Sequence, residues 1–334
     1  MTLANKLLSV AIAASALVSF TAAAQERAAK FGYGIAEEHP LGQGALRFSQ
    51  IVDQRSGGKL KVKPYPANVL GSESAMVSSA QGGVQEIVGT SSAPLVGIVK
   101  EFALFDLPFL FANEKEADAV LDGPVGRSLL DKLEPKGLVG LCYWETGFRN
   151  MTNSKRPITK AEDIKGLKLR TMQNPVYVEA FSKLGANAVP LPFTELYAAL
   201  ETKAIDGQEN PYGIIYANKM HEVQKYLSGT RHAYSPFVVM VSKKYWDKLA
   251  AGDRKVMQDA CVEARGYQRK LNRDANDKIL ADIKASGVQF NEVAPAEIAR
   301  MRQELQPVIE KFSKQIGEDT VRQALAEIEK VRAK

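Results

Sequence analysis

The sequence contains few residues of the types that build metal sites and disulfide scaffolds. Its 334 residues include two cysteines and three histidines. Two cysteines are too few for a disulfide scaffold and lack the paired spacing of a zinc site. His39, His221 and His232 form no His-x-x-x-His pair and have no cysteine beside them. These absences argue against a zinc centre, and we expect the protein to need no cofactor.

Ready-made catalytic motifs are missing as well. The chain has no Gly-x-Ser-x-Gly nucleophile elbow. Gly32 and Gly34 follow a predicted strand, but Glu37 stands where the dinucleotide-binding fingerprint requires a third glycine. Gly57, Gly58 and the lysine after them lack the spacing of a phosphate-binding loop. The sequence therefore gives no support to an enzyme, and we predict a protein without catalytic activity.

Only the N-terminus carries a long uncharged apolar run. Lys6 precedes the 14 residues of this run, 7–20, and Ala22–Ala24 has the small-x-small pattern of a signal peptidase site. A membrane-spanning helix needs about 20 apolar residues, so the run predicts a cleaved export signal over residues 1–24 and a periplasmic protein. The formal charge is +6, but no platform of aromatic and basic residues accompanies it, so nucleic acid is not an expected partner.

The remaining chain alternates short apolar runs with helical patterns, as α/β proteins do. Its length favours two lobes. Apolar runs predict strands at Gly137–Trp144 and Ser235–Ser242, and a helical pattern covers Glu114–Leu133. Apolar residues at helical spacing extend without proline over Asp253–Ala285, which predicts one helix long enough to lie across both lobes. Two helices broken near Gly266 are the alternative.

The two cysteines fall in different predicted elements. Cys142 lies in an apolar strand pattern, and Cys261 lies on the inner face of the long helix. Both would face an oxidising compartment after export. We expect two separate buried thiols, with a single bridge as the open alternative, because a sequence gives no distance between them.

Several segments then point to one family. They are GFRN at 147–150, GLKLR at 166–170, DGQENP at 206–211, YPANVLGSE at 65–73, ALFDLPFLF at 103–111 and LPFTELYAALETKA at 191–204. In these segments and in their order, the chain resembles the solute-binding proteins of tripartite ATP-independent periplasmic (TRAP) transporters, the DctP-type family. The resemblance extends over the whole mature chain.

The resemblance implies an α/β fold of the two-lobed periplasmic binding protein type, class II-like, with a ligand cleft between the lobes. Crossing strands and a long spanning helix would join the lobes. We expect lobe I to comprise residues 25–146 and about 236–275, and lobe II residues 147–235 and about 276–334. The implied function is capture of a small organic acid by lobe closure, followed by delivery to a membrane permease. We expect a monomer.

The resemblance also implies ligand-binding residues in lobe II. Arg170 would grip the ligand carboxylate, and Arg149 would supply a second guanidinium, with Asn153 completing its segment. Asn210 and Phe193 would complete this wall of the cleft. A guanidinium suits the task because its planar fork can bind both oxygens of a carboxylate. The alternatives are a solvated surface charge for either arginine and a turn residue for Asn210.

The first lobe would supply the other wall of the cleft through two loops. Their candidate residues are Glu38 and His39 in one loop and Ser91 and Ser92 in the other, and Gln173 would join them from lobe II. These loops hold no lysine or arginine that could neutralise a second carboxylate. We therefore expect a hydroxylated monocarboxylate such as a sugar acid. The alternatives are a C4-dicarboxylate, a periplasmic enzyme on the same scaffold, a sensor subunit, and a cationic or helix-starting role for His39.

Overall fold

The computed structural model describes residues 28–333, which form a mixed α/β fold with one central sheet. The predicted signal peptide, residues 1–24, lies outside the described residues. Within the described range the strands are β1 (Ala29–Gly32), β2 (Val62–Tyr65), β3 (Ile87–Ser91), β4 (Leu138–Asn153), β5 (Lys168–Thr171), β6 (Asn187–Pro190), β7 (Gly207–Asn210), β8 (Tyr226–Ser242) and β9 (Gln289–Glu292). The α-helices are α1 (Pro40–Arg55), α2 (Glu73–Gly82), α3 (Glu114–Asp122), α4 (Pro124–Asp131), α5 (Pro175–Lys183), α6 (Phe193–Glu201), α7 (Tyr212–Ala217), α8 (Lys243–Trp246), α9 (Ala251–Ala285), α10 (Pro295–Glu304), α11 (Gln306–Ile316) and α12 (Glu318–Arg332). In this part of the chain, no helix is both long and apolar enough to cross a membrane.

Two long antiparallel strands, β4 and β8, form the middle of the sheet. The strand order is β2-β1-β3-β8-β4-β7-β5-β6, with β9 added to β8. One half of β8, residues 237–241, pairs with β3, and the other half pairs with β9. Correspondingly, residues 150–153 of β4 pair with β7. The two strands therefore pass from one half of the sheet into the other, as the resemblance implied.

The sheet separates two hydrophobic cores. In β8, Val238 and Met240 face one core, and Val239 and Val241 face the other, because successive side chains of a strand point to opposite faces. Helices α2 to α5 and α10 to α12 cover the first core, whereas α1, α6, α7 and α9 cover the second. This arrangement leaves the ends of β3, β5 and β7 free to position polar side chains near the β4–β8 pair.

Helix α9 is continuous, which confirms the prediction of one long helix and removes the two-helix alternative. Its 35 residues would extend about 52 Å at 1.5 Å per residue. It packs against α1 beside one half of the sheet and against α7 beside the other. Gly266 does not break it, and a side chain at that position would meet no neighbouring atom. The helix thus braces both halves of the sheet.

The predicted lobe boundaries fall inside continuous elements. The boundary at residues 146 and 147 lies within β4, at an irregularity in its pairing with β8 between Glu145 and Gly147. Gln268 of α9 bonds the backbone there, since its amide accepts from the nitrogen of Glu145 and donates to its carbonyl. The boundary at 235 and 236 lies within β8, and the one near 275 lies within α9. The assignment of residues to lobes stays a prediction.

The expectation of two separate thiols is wrong. Cys142 of β4 and Cys261 of α9 form a disulfide with their Cα atoms 6.0 Å apart. Both side chains are buried where α9 crosses β4, and the indole nitrogen of Trp144 donates to the carbonyl of Cys261 at 3.2 Å. The packing of helix on strand brings the two residues into bridging range, although 119 residues separate them in sequence.

Three element boundaries also differ from prediction. The helix expected over Glu114–Leu133 is two helices, because Gly123 and Pro124 end α3 and start α4. The strand expected to end at Trp144 continues to Asn153, and the strand expected to begin at Ser235 begins at Tyr226. The added strand residues are rich in polar side chains, and these side chains form the site described next.

Candidate ligand-binding cavity

A cavity lies where β4 and β8 meet the ends of β3, β5 and β7. It holds about 390 Å³ of empty space, part of which opens to solvent. Its walls are formed by Ile35, Glu73, Ser91, Thr146, Arg149, Arg170, Met172, Phe193, Asn210, Ile214, Ser235 and Phe237. Segments assigned to both predicted lobes contribute, and five of the predicted site residues lie together here.

Arg170 brings a buried cation that has no acidic partner. It is the third residue of β5, and only 2% of it is exposed. Its Nε and Nη2 donate to the carbonyl of Leu191 at 2.9 and 2.6 Å, whereas Nη1 has no partner among the described residues. Burial lowers the pKa of Arg170 to about 10, which still leaves it charged at neutral pH. Arg170 therefore has a free donor and a charge without an ion-pair partner, on which Glu209 and Glu73 act only electrostatically.

Arg149 lies in the same cavity, but its charge is already compensated. Its guanidinium forms a two-point ion pair with Glu209, with Nη2 donating to Oε1 at 2.9 Å and Nε donating to Oε2. Nη2 also contacts the side-chain oxygen of Asn210 at 3.2 Å, and Nη1 contacts Ser235 at 3.4 Å. Burial alone would lower the pKa of Arg149, but the charge of Glu209 reverses this effect. Arg149 can therefore donate hydrogen bonds while adding little net charge.

His232 contacts the same oxygen of Glu209 as Nε of Arg149 does. Its Nε2 lies 3.0 Å from Oε2 of Glu209, and its Nδ1 lies 2.8 Å from the hydroxyl of Thr230. Burial favours the neutral form of Glu209, but the charge of Arg149 and the bond from His232 outweigh it and hold the pKa of Glu209 at about 2. Sequence reasoning missed Glu209 and His232, although Glu209 belongs to the DGQENP segment that contains Asn210.

Glu73 is the cavity residue that sequence reasoning should have included. It is the first residue of α2, follows the N-cap Ser72 and closes the YPANVLGSE segment. Its carboxylate oxygens lie 3.4 Å from the backbone nitrogen and the hydroxyl of Ser91. Burial raises the pKa of Glu73, and the charges of Arg170 and Arg149 oppose that rise. An acidic group thus faces the same cavity as the two arginines.

The other predicted members of the cavity wall are an amide and an aromatic ring. The amide nitrogen of Asn210 donates to Gln208 at 2.6 Å while its oxygen accepts from Arg149, so the side chain is fixed in one orientation. Phe193 begins α6 and lies on the wall together with Phe237. Aromatic and aliphatic side chains exclude water, which strengthens the electrostatic interactions of a ligand held between them.

Three other predicted residues are not brought into the cavity wall. Glu38 and Gln173 are exposed, and Ser92 is buried beyond Ser91 at the start of a 3₁₀ turn. Asn153, which completed the Arg149 segment, instead stabilises a turn, because its side-chain oxygen accepts from the backbone nitrogens of residues 155 and 156, both at 2.8 Å. As ligand contacts, Glu38, Ser92 and Gln173 stay predictions.

His39 starts α1. Its Nδ1 accepts from the backbone nitrogen of Leu41 at 3.1 Å, which places the imidazole at the N-cap. Burial lowers the pKa of His39 to about 4, so the ring is neutral at physiological pH. Of the two roles considered, the geometry matches the helix-starting one. His39 is absent from the cavity wall and supplies no cation to it.

The cavity can bind one negative charge together with neutral polar groups. Arg170 offers an uncompensated charge and a free donor, whereas Glu209 neutralises Arg149. Glu73, whose pKa is raised by burial, offers oxygens that accept hydrogen bonds and supplies no positive charge for a second anion. Ser91, Ser235 and Asn210 add hydroxyl and amide groups. A molecule with one carboxylate and several hydroxyl groups would satisfy this set.

Comparisons with known proteins identify the family of the chain and relatives that bind organic acids. Residues 31–315 match the DctP family, described as bacterial extracellular solute-binding protein, family 7. The chain is 45% identical to the sugar acid binding protein DctPAm of Advenella mimigardefordensis, crystallised with galactonate, with a TM-score of 0.89 over 91% of this chain and 98% of that one. It is 40% identical to the 2,3-diketo-L-gulonate-binding periplasmic protein YiaO of Escherichia coli, over 78% of this chain and 79% of YiaO. It is 32% identical to the C4-dicarboxylate-binding periplasmic protein DctP of Rhodobacter capsulatus, over 96% and 97% of the two chains.

Proposed function

Because the chain belongs to the bacterial extracellular solute-binding protein family 7, the DctP family, we propose that it captures a hydroxylated monocarboxylate such as a sugar acid in the periplasm. Lobe closure around the acid and delivery to the permease of a TRAP transporter complete the proposed role. Family members are substrate-binding components of such transporters, and DctP-family proteins are periplasmic. Export after removal of residues 1–24 belongs to the proposal.

One observation carries this proposal: Arg170 is a buried cation without a carboxylate partner. Arg149, Arg170 and Arg269 are the buried arginines of residues 28–333, and the other two form ion pairs with Glu209 and with aspartates of α3. A buried charge without a partner is costly, because it has lost its hydration. A ligand carboxylate would supply the missing partner, and Nη1 of Arg170 would donate to it.

The remaining wall supports one carboxylate rather than two. A C4-dicarboxylate would need a second uncompensated cation at its other end. The cavity instead offers Glu73, an acidic group that supplies no positive charge and can accept hydrogen bonds from hydroxyl groups. Two relatives, from A. mimigardefordensis and E. coli, are named for sugar acids or their oxidised derivatives, which supports the same ligand class.

The relatives are binding proteins of transporters, and we propose that this chain likewise releases its ligand unchanged. Closure would follow from differential affinity, since contacts from both walls are completed only when the lobes approach each other. A shift from mostly open to mostly closed requires about 5 kcal/mol of such preference. An ion pair with Arg170 and hydrogen bonds to the ligand hydroxyls would supply this preference for the closed state.

The test is a thermal-shift screen of the purified mature chain with matched anionic and neutral ligands. Galactonate and gluconate should stabilise it, whereas galactose and glucose, which have similar size and hydroxyl number, should not. A ligand at one hundred times its dissociation constant stabilises by about 2.7 kcal/mol, which such a screen detects readily. Stabilisation by the neutral sugars alone would overturn the proposal, and stabilisation by succinate alone would favour the dicarboxylate alternative. Mass spectrometry of the recovered ligand should give an unchanged mass, whereas a changed mass would indicate an enzyme.

A further inference from the structure

Asp106 is a buried carboxylate that lies outside the cavity wall and that the proposed binding step does not use. It ends the 3₁₀ segment Lys100–Asp106, and 1% of it is exposed. The amide nitrogen of Asn174 donates to its Oδ2 at 2.7 Å, and the hydroxyl of Tyr177 donates to its Oδ1 at 3.0 Å. Both donors belong to the start of α5, so one carboxylate links a segment of predicted lobe I to a helix of predicted lobe II.

One of the two donors contacts an arginine of the cavity, and the other follows the second arginine closely along the chain. The ring of Tyr177 faces the guanidinium of Arg149, whose central carbon lies 5.6 Å from the ring centre. Asn174 caps α5, because its side-chain oxygen accepts from the nitrogen of Val176 at 2.8 Å, and it follows Arg170 by four residues. Removal of the Asp106 carboxylate would leave the Tyr177 hydroxyl without its acceptor and the Asn174 amide with only its longer bond to the carbonyl of Ala93, at 3.4 Å. Both side chains would then be held less firmly.

We infer that Asp106 is a positioning residue of the anion cavity, which orients Tyr177 and Asn174 beside the two arginines and takes up a proton when the ligand binds. This inference rests on the proposed function, since it concerns the same cavity. Asp106 touches no ligand in this scheme. It acts through its two hydrogen bonds and through its charge.

Several charged or titratable groups surround Asp106, and Glu73, whose pKa burial also raises, faces the ligand cavity itself. Arg149 of β4 and Glu209 of β7 act on it electrostatically, Tyr177 of α5 bonds to it, and His232 of β8 lines the same internal cavity. Met301 of α10 and the neighbouring Leu305 also line that cavity, and neither carries a charge. The buried residues of α11 are likewise uncharged: Val308, Phe312 and Ile316. The pKa of Glu209 is near 2 and that of Arg149 lies above its ordinary value, so both stay ionised. Burial raises the pKa of Asp106 to about 7.

The direction of the coupling follows from charge. A ligand carboxylate at Arg170 adds negative charge near Arg149 and so weakens the field that keeps Asp106 ionised. The pKa of Asp106 is therefore higher in the complex than in the free protein. Because the complex then binds more protons near neutral pH, affinity must rise as pH falls through that range. The coupling levels off below the pKa of the free protein and above that of the complex.

Titration calorimetry of the full mature chain tests this inference, with gluconate as the probe. The dissociation constant should be about 3- to 10-fold lower at pH 6 than at pH 8, since a shift of one pKa unit corresponds to a tenfold change. At pH 7, two buffers of different ionisation enthalpy should reveal uptake of a fraction of a proton. Gluconate itself has no group that titrates between these pH values. A pH-independent affinity without proton uptake would overturn the inference, whereas absence of gluconate binding at every pH would count against the proposed function instead.

Variants then assign the proton to its site. Asp106→Asn should bind with the same affinity at pH 6 and pH 8. Tyr177→Phe removes a donor from the ionised carboxylate and should move the midpoint of the pH dependence to higher pH. Glu73→Gln and His232→Gln should keep the slope, whatever affinity each retains. Loss of the slope in His232→Gln alone, or its persistence in Asp106→Asn, would overturn the assignment. If Asp106→Asn does not fold, the comparison of Tyr177→Phe with the native protein tests the inference instead. An unchanged midpoint of the pH dependence in Tyr177→Phe would then refute it.

Discussion

Substitution of Arg170 by lysine should abolish most ligand affinity without unfolding the protein. The guanidinium donates through Nε and Nη2 to the carbonyl of Leu191, which leaves Nη1 for the ligand. A lysine ammonium is a compact charge at the end of a shorter side chain. It can stay with the carbonyl of Leu191 or approach the ligand, but it cannot hold both as the planar fork does.

The expected loss can be estimated from this geometry. Hydrogen bonds that involve a charged group contribute about 1.5–3 kcal/mol each, and Arg170→Lys removes at least one of them from the complex. A loss of about 2–3 kcal/mol corresponds to an affinity reduced about 30- to 150-fold. The melting temperature without ligand should change little, because lysine keeps the charge and one bond to Leu191.

Titration calorimetry with gluconate measures the affinity, and calorimetric unfolding measures stability. Arg322→Lys is the matched control, since Arg322 is an exposed arginine of α12 that pairs with Asp319. It should bind as the native protein does. If Arg170→Lys binds within threefold of the native protein, or if Arg322→Lys loses as much, Arg170 does not hold the carboxylate.

Three further predictions concern the acidic wall, the disulfide and the N-cap of α1. Glu73→Gln should weaken gluconate binding about tenfold relative to succinate binding, because it replaces a carboxyl acceptor of ligand hydroxyls by an amide that can donate to a second carboxylate; calorimetry that finds an unchanged ratio of the two affinities contradicts this. Cys142→Ser combined with Cys261→Ser should lower the free energy of unfolding by about 2–5 kcal/mol, since the bridge closes a long loop, and an unchanged urea midpoint would show otherwise. Buried His39 takes up a proton only near pH 4, whereas the unfolded chain does so near pH 6.5, so stability should fall by about 2 kcal/mol from this group between pH 7 and pH 5. His39→Asn retains a capping side chain and should remove that loss, so equal losses in urea unfolding of both proteins would refute the role.

The sequence could predict the elements but not their polar ends. The apolar residues up to Trp144 identify a strand, and the prediction stops there because most of the residues from Glu145 to Asn153 are polar. In the structure β4 continues, since Arg273 and Asn272 of α9 bond the carboxylate of Glu145 and Glu209 pairs with Arg149. A buried strand whose polar groups are satisfied by distant partners has the pattern of a loop in sequence.

The sequence could not predict contacts between distant segments either. Cys142 and Cys261 each had a correctly predicted environment, but only the packing of α9 on β4 places them together. Glu73 is the last residue of the YPANVLGSE segment. An acidic residue is common at the start of a helix, so its presence there gave no sign of a ligand. The break between α3 and α4 at Gly123 and Pro124 could have been predicted, because proline favours the first position of a helix and is visible in the sequence.

The two arginines of the cavity explain why residue type alone could not assign their roles. Both Arg149 and Arg170 belong to segments that resemble the family, GFRN and GLKLR, and both are about 98% buried. Glu209 raises the pKa of Arg149, whereas burial lowers that of Arg170. Strand β7 lies between β4 and β5, and its Glu209 acts electrostatically on both arginines but forms an ion pair only with Arg149. The direction of the Glu209 side chain therefore decides which guanidinium is already paired and which is free to bind an anion, and a linear motif does not contain that direction.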